Sequence, residues 1–183
     1  MYAQQIDTFF VEIPRTGMRS LEHDLNDIFK ISHVGHYTTQ RFLDDIKTTP
    51  SNYVAVVRDP VDRLLSAINF ACLDTKQVDQ AFDKLLREGY STEIIAPTCF
   101  EELGYVYAPQ IAYMDADVDY KLYKFGDMKN FYKDWVSGKE PTHNNKTNKW
   151  FSREELINHP MFNDVMQIYK KDVDLYDSLE PIQ

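Results

Sequence analysis

Cysteine is scarce in this sequence, with only Cys72 and Cys99 among its 183 residues. Two thiols build neither a zinc site by themselves nor a disulfide framework, so both are expected to be reduced and buried. No apolar run approaches the roughly 20 residues that span a bilayer, and the first ten residues lack the basic and apolar regions of a signal peptide. These absences predict a soluble, cytoplasmic protein without a membrane partner.

Positive charge is also in short supply, since 20 Lys and Arg face 29 Asp and Glu for a formal net charge of −9. A protein that binds nucleic acid usually carries a basic surface, so DNA and RNA are not expected partners. Apolar residues make up 43 % of the chain, enough for the core of one domain over residues 1–183. Any anion-binding site must therefore come from a local cluster of Arg and Lys.

Hydrophobic periodicity predicts strands that alternate with helices. Strands are predicted at 7–13, 52–57 and 120–125, and helices at 18–30, 76–88, 127–136, 152–158 and 161–177, with a further helix that begins at Pro60 after an Asp59 cap. The segments 90–104 and 137–149 are predicted to be irregular. This alternation predicts a single α/β domain with a central parallel sheet, flanked by helices in three layers.

The stretch FFVEIPRTGMRSL, residues 9–21, joins an apolar strand to a helix through a cationic turn. Ligands of open parallel sheets bind beyond the carboxyl ends of the strands, and a helix start favours an anion there. Gly17 lets the backbone approach a ligand closely. Further donors come from Arg15, Thr16, Arg19 and Ser20. The stretch is typical of a phosphate-binding turn, although it is not a Walker A loop because G-x-x-x-x-G-K-[ST] is absent.

A second turn of the same design lies in VAVVRDPVDRLLSAINF, residues 54–70. Arg58 stands at the carboxyl end of the predicted strand, and Arg63 and Ser66 share one face of the following helix. For either turn taken alone, an ordinary loop stays open as the alternative, with these arginines merely paired to neighbouring aspartates. Two such turns together predict a nucleotide with phosphate groups at both ends.

These turns resemble two motifs of the sulfotransferases that use 3′-phosphoadenosine 5′-phosphosulfate (PAPS), in particular the carbohydrate O-sulfotransferases. That family's first motif reads approximately F-V-H-I-P-K-T-G-G-T-S-L, against FVEIPRTGMRSL here. Its second motif reads approximately V-R-D-P-x-x-R-L-L-S-x-Y, against VRDPVDRLLSAIN. APQIAYM, YKLYKFGDMKNF, HNNKT and IYKKDVDLYDSL extend the weaker similarity along most of the chain. The resemblance implies a P-loop-like fold.

The resemblance also implies how the donor is bound. Residues 14–21 would wrap the 5′-phosphosulfate, and Arg58 and Ser66 would bind the 3′-phosphate, with support from Arg63. The implied donor-binding residues are Pro14, Arg15, Thr16, Gly17, Met18, Arg19, Ser20, Leu21, Arg58, Arg63 and Ser66. The implied cosubstrate is PAPS, the product is adenosine 3′,5′-bisphosphate (PAP), and no metal is expected. The sequence departs from the family pattern at Arg15, Met18 and Arg19, which replace Lys, Gly and Thr.

Sulfuryl transfer to an alcohol needs a base, because a hydroxyl is a poor nucleophile while it keeps its proton. HVGHYTTQRF, residues 33–42, resembles the G-H-V-x-F-x-x-F stretch of the heparan sulfate uronosyl sulfotransferases, and the match assigns the base to His36. Arg15 and Glu12 complete the predicted catalytic set, with Glu12 as a second candidate base or a partner of Arg15. Weaker candidates are His33, Asp127 and His143.

The predicted function is a PAPS-dependent sulfotransferase that acts on a hydroxyl of a carbohydrate or small-molecule acceptor. Two alternatives stay open. A nucleotide kinase-like phosphotransferase is disfavoured by the missing Walker A lysine. A module that binds PAPS or PAP without transfer is kept open by the departures at Arg15, Met18 and Arg19. The sequence does not indicate the acceptor's identity or the oligomeric state.

Overall fold

The computed structural model describes residues 1–93, 104–136 and 149–179. Of Arg19, only the backbone is described. Within these residues the sheet has the strand order β3–β1–β2–β4–β5. The strands are β1 Tyr2–Ala3, β2 Thr8–Val11, β3 Ile31–Ser32, β4 Asn52–Val57 and β5 Tyr120–Lys124. The predicted α/β class is confirmed, with helices flanking the sheet.

The sheet is mixed, and this corrects the expectation of a wholly parallel one. β2, β4 and β5 are parallel neighbours, whereas β1 pairs antiparallel with both β2 and β3. The reversal between β1 and β2 is a single 3₁₀ turn at Gln4–Ile6, followed by Asp7 at φ +44°. So short a connection can only join antiparallel strands, because parallel strands need a longer crossover.

Helices occupy most of the remaining described chain. They are α1 Met18–Asn26, α2 Thr39–Ile46, α3 Pro60–Ala71, α4 Thr75–Glu88, α5 Gly104–Tyr107, α6 Met128–Trp135, α7 Arg153–Ile157, α8 Phe162–Ile168 and α9 Lys170–Ser178. The single helix predicted at 161–177 is thus two helices, interrupted at Tyr169. None of the described helices combines the length and the apolar character needed to cross a membrane. Most of both segments predicted to be irregular lies outside the described residues.

Side chains of alternate strand residues pack on opposite faces of the sheet, as the two-residue period of a strand requires. Phe10, Val54 and Val56 pack in one cluster with residues of α1 and α6. Phe9 and Val11 pack in another cluster with residues of α2 and α9. The sheet therefore lies between two helical layers. A third cluster joins α3 and α4 to α7 and α8.

Candidate functional site

The carboxyl ends of β2, β4 and β5 are adjacent in the sheet. Val11 of β2 pairs with Ala55 of β4, and Val57 at the end of β4 pairs with Lys124 at the end of β5. The residues that follow these three strands therefore leave the sheet at one edge. The two predicted phosphate-binding turns, which follow β2 and β4, meet at this edge.

The first turn, residues 14–17, is held in a conformation that only a few residues tolerate. Arg15 has φ +67°, and Gly17, which caps α1, has φ +83°. A methyl group on Gly17 would lie 2.5 Å from Cε2 of Phe125, so glycine is needed for both backbone and packing reasons. The buried hydroxyl of Thr16 donates to the Ile13 carbonyl at 2.9 Å, which closes the turn on itself.

The second turn begins at Arg58 and continues into α3. Asp59 caps this helix, because its carboxylate accepts the backbone N–H of Asp62 at 2.9 Å, and Pro60 opens it as predicted. The Arg58 guanidinium is half-buried and lies 4.9 Å from the centre of the Phe125 ring. Burial lowers the pKa of Arg58, and the nearby carboxylates of Asp62 and Asp59 oppose that shift.

Hydrogen bonds from arginine side chains join the two turns. Arg58 Nη1 donates to the Arg15 carbonyl at 3.3 Å, and Arg15 Nε donates to Ser66 Oγ at 3.1 Å. Arg63 Nη1 donates to the Pro14 carbonyl at 3.4 Å. The Arg15 guanidinium also lies 4.6 Å from the centre of the Phe70 ring. Residues 43 to 51 positions apart in sequence thus form one cluster.

Arg63 differs from the other two arginines because it is fully buried. Its guanidinium also donates to the Val106 carbonyl at 3.2 Å and to the Ala108 carbonyl at 2.6 Å. Burying a cation is costly unless its hydrogen bonds are made, and here backbone carbonyls supply most of them. Arg63, predicted to bind the donor, therefore braces the first turn from the protein interior rather than presenting its charge to solvent.

Two residues that sequence reasoning missed hold the backbone of Arg58, Gln110 directly and Asp172 through Gln110. Gln110 accepts the Arg58 N–H at Oε1, at 2.8 Å, and donates from Nε2 to the Arg58 carbonyl at 2.9 Å. Asp172 of α9 accepts the N–H groups of Gln110 and Ile111 at 2.7 and 2.9 Å. Gln110 lies in APQIAYM and Asp172 in IYKKDVDLYDSL, two segments that carry only the weaker part of the resemblance and assign no role to either residue.

His36 is anchored beside the first turn. Its Nδ1 lies 2.6 Å from the backbone carbonyl of Glu12, and its ring lies 5.5 Å from the ring of Tyr105. Because a carbonyl can only accept, Nδ1 must carry the proton, and in the neutral ring Nε2 keeps the lone pair. This tautomer has the form that a general base requires.

The other acid–base candidates are differently situated. The carboxylate of Glu12 is buried and lies 2.9 Å from the amino group of Met1, so it is engaged in an ion pair. His33 is exposed and contacts Asn26 at 3.2 Å. Asp127 precedes α6 and accepts the Asn130 amide at 2.8 Å. The prediction for His143 lies outside the described residues.

The remaining residues of the first motif divide between core and surface. Met18 and Leu21 are buried and pack with the α1 and α6 cluster, so the bulk of Met18 lies in the core. Ser20 is half-buried in the first turn of α1. The Arg19 side chain is not among the described parts of the chain. The predicted donor-binding role of these four residues stays a prediction.

A cavity lies beside the start of α2, which follows His36 closely in the chain. The cavity, of about 430 Å³, is lined by Thr38, Arg41, Thr92 and Glu93, all of which carry hydrogen-bonding groups. Thr38 also caps α2 by accepting the Arg41 N–H at 3.2 Å. These side chains suit a ligand rich in hydroxyl groups, because each offers a donor or an acceptor.

A group of potential metal ligands lies elsewhere, on α1 and just after it. His23, Asp24 and Asp27 have ligand atoms within 4.8 Å of one another. Asp24 is buried, and its carboxylate accepts the hydroxyl of Tyr132 at 2.5 Å, so that oxygen already has a partner. The expectation that the reaction uses no metal stays a prediction.

Compared with family models, with curated proteins and with solved structures, the chain matches none of them. The function of this sheet edge must therefore be argued from its own residues. The half-buried guanidinium groups of Arg15 and Arg58, each stacked on an aromatic ring, are suited to bind an anionic ligand.

Proposed function

We propose that this chain is a sulfotransferase that binds PAPS and transfers its sulfuryl group to a hydroxyl acceptor, with a carbohydrate as the favoured class. The observation that carries the proposal is the contact between the two turns: Arg58 lies 3.3 Å from the Arg15 carbonyl, and Arg15 lies 3.1 Å from Ser66. One cationic cluster at neighbouring strand ends suits a nucleotide that is anionic at two positions. The order of strand, glycine turn and helix supports the P-loop-like part of the proposal.

The donor supplies an activated sulfuryl group, and the chain's residues bind and orient it. Arg15 and the turn around Gly17 hold the 5′ end, and Arg58 and Ser66 hold the 3′-phosphate. Arg63 keeps the first turn in place through its bond to the Pro14 carbonyl. Fixed cations at the leaving phosphate stabilise the charge that develops during transfer, and they need no reorganisation when they are already held.

His36 takes the proton of the acceptor hydroxyl at Nε2, while Nδ1 stays bonded to the Glu12 carbonyl. A bond forms between the acceptor oxygen and sulfur, and the bond between sulfur and the bridging oxygen of the 5′-phosphate breaks. The electron pair of that bond leaves with PAP. The cavity beside Thr38 and Arg41 is the proposed acceptor space, because its lining matches a hydroxyl-rich molecule.

Calorimetric titration of the chain with PAP and with ATP tests the nucleotide part of this proposal. PAP should bind at least about tenfold more tightly than ATP, since a site built for the 3′-phosphate loses a charged contact with ATP. Arg58→Ala should weaken PAP binding about 10- to 100-fold, the range for hydrogen bonds to charged groups. Arg87→Ala, which removes an exposed arginine of α4, is the matched control and should leave the affinity for PAP unchanged.

Transfer is tested with labelled PAPS and a panel of neutral and anionic glycans, read out as the mass increase of one sulfate. His36→Ala should reduce transfer about 10²- to 10⁴-fold, the range for loss of a general base, and leave PAP affinity unchanged. Full transfer by His36→Ala would reject the assignment of the base. If the wild-type chain binds PAP but transfers sulfate to no acceptor, the alternative of a binding module is favoured. Equal affinity for PAP and ATP would reject the assignment of PAPS as the donor.

A further inference from the structure

The segment 106–111 connects both phosphate-binding turns to the interior. Its carbonyls at Val106 and Ala108 accept from the buried Arg63, whose guanidinium also bonds to the first turn. Its Gln110 bonds to Arg58, which begins the second turn. Since α9 in turn bonds to this segment through Asp172, the contacts run from α9 to the sheet edge without a break.

The side-chain amide of Gln110 hydrogen-bonds to the residue that follows β4, much as a neighbouring strand would. β4 ends at Val57, so the backbone of Arg58 has left the ladder with β5. The primary amide of Gln110 accepts from the N–H of Arg58 at 2.8 Å and donates to its carbonyl at 2.9 Å. Gln110 is fully buried, and an unpaired backbone group there would cost the full desolvation penalty. The amide therefore fixes the backbone from which the Arg58 side chain projects.

Asp172 in turn fixes the backbone at Gln110 through hydrogen bonds to its carboxylate. Its two carboxylate oxygens accept the consecutive N–H groups of Gln110 and Ile111 at 2.7 and 2.9 Å. Asp172 is only 1 % exposed, so these charge-assisted bonds lie in a medium where they are strong. They define the start of the 3₁₀ turn at Gln110–Tyr113, and with it the direction of the Gln110 side chain.

We propose that Gln110, held by Asp172, positions Arg58 and thereby sets the preference of the site for a nucleotide with a phosphate on the ribose 3′ position. This inference rests on the proposed function. With the Arg58 backbone fixed, its side chain is further held by the Phe125 ring and by the Arg15 carbonyl. A guanidinium ordered before binding loses less entropy when it contacts phosphate. Gln110 and Asp172 are positioning residues, because they act through Arg58.

Gln110→Met tests this role, because it removes both amide bonds and keeps the length of an unbranched side chain. Affinities for PAP and for adenosine 5′-phosphate, which lacks the 3′-phosphate, are measured by calorimetry. PAP should bind about tenfold more weakly to the variant, whereas the affinity for adenosine 5′-phosphate should change less than about twofold. Gln77→Met is the matched control, since Gln77 accepts a backbone N–H of Leu73 at the turn between α3 and α4. It should keep the wild-type ratio.

A double-mutant cycle separates positioning from general destabilisation. If Gln110 acts through Arg58, Gln110→Met should add no loss of PAP affinity in an Arg58→Ala background. Equal losses for both nucleotides, or a full loss in that background, would overturn the inference. If Gln110→Met does not fold, Asp172→Asn replaces it, because it keeps the size and removes one of the two acceptors, and the same selective loss is expected.

Amide hydrogen exchange at Arg58 reports on the positioning contact without any ligand. Exchange of the Arg58 N–H should accelerate in Gln110→Met relative to the N–H of Val57, and unchanged exchange would contradict the contact. A wild-type chain that binds neither nucleotide overturns the proposed function and the selectivity with it. A wild-type chain that prefers PAP, combined with a Gln110→Met variant that keeps the preference, overturns the positioning role alone.

Discussion

At the scale of single residues, Gly17 combines two constraints that can be separated by mutation. Its φ of +83° costs an alanine about 1–2 kcal/mol, and a Cβ there would meet Phe125 at 2.5 Å. Gly17→Ala should therefore lower the free energy of unfolding by about 2–3 kcal/mol. It should also displace the Phe125 ring, which stacks on Arg58. Urea denaturation followed by circular dichroism measures the stability.

The two constraints on Gly17 are distinguished by a second substitution. In a Phe125→Ala background the steric part disappears, so Gly17→Ala should cost only the positive-φ part there. Gly104→Ala is the control, because Gly104 lacks a positive φ and no described residue lies within 4 Å of the added methyl. Equal effects of the substitutions at Gly17 and Gly104 would contradict the account of the turn.

At the scale of elements, α3 and α4 both begin with an aspartate N-cap, but they lie at different distances from the candidate site. The carboxylate of Asp59 caps α3, and the carboxylate of Asp74 caps α4 by accepting the N–H of Gln77 at 2.9 Å. Asp59→Ala and Asp74→Ala should each lower the free energy of unfolding by about 1 kcal/mol, the usual value of a lost cap. The more distant Arg153, 3.9 Å from Asp59, adds little because exposed ion pairs are weak.

Asparagine tests whether capping or charge is responsible at these two positions. It caps helices as well as aspartate does, so Asp59→Asn and Asp74→Asn should keep nearly the wild-type stability in thermal or urea unfolding. An asparagine variant as unstable as the alanine variant would assign the effect to the lost charge instead.

Element boundaries are predictable where local chemistry determines them. The sequence predicts β4 at the residues where the structure has it, because its β-branched run ends one residue before the helix start at Asp59 and Pro60. The strands β1 and β3 are not predictable in this way, because two residues each show no periodicity. The antiparallel part of the sheet depends on these two strands, which is why the sequence predicted only the parallel part.

The candidate site is also predictable only in part, where strand ends alone determine which residues meet. Arg15 and Arg58 follow two buried strands, and the parallel pairing of those strands is enough to bring them to one edge. Gln110 and Asp172 are not predictable, because their bonds join positions 52 and 62 residues apart. The burial of Arg63 is also not predictable from the sequence, because an arginine on a helix next to the turn is expected to be exposed and to bind a ligand.

At the scale of the whole molecule, Asp7 connects the β1–β2 turn to the start of β4. Its carboxylate accepts the N–H and the hydroxyl of Ser51 at 3.0 and 2.6 Å, and the hydroxyl of Tyr2 at 2.8 Å. The hydrogen bonds from Ser51, and then that from Tyr2, lower the pKa of Asp7 below its ordinary value. The contacts stabilise the charged form, so they tie the fold's stability to pH.

The sign of this dependence follows from the lowered pKa. A carboxyl with a lower pKa in the folded chain contributes stability that is fully present above the unfolded value of about 3.9 and is lost as pH falls through the folded pKa. The difference in the free energy of unfolding between wild type and Asp7→Asn should therefore be largest at neutral pH and shrink toward acid. Asparagine tolerates the positive φ of this position, so the backbone is kept.

Urea unfolding of both chains from pH 7 to pH 2.5 measures this difference. Ser51→Ala removes the main cause of the lowered pKa, so its acid dependence should resemble that of Asp7→Asn. The acid limb of the wild-type curve should also be steeper than in either variant, because the folded state holds its Asp7 proton less tightly than the unfolded chain. A constant difference over the whole pH range would mean that Asp7 acts by shape alone, without a contribution from its charge.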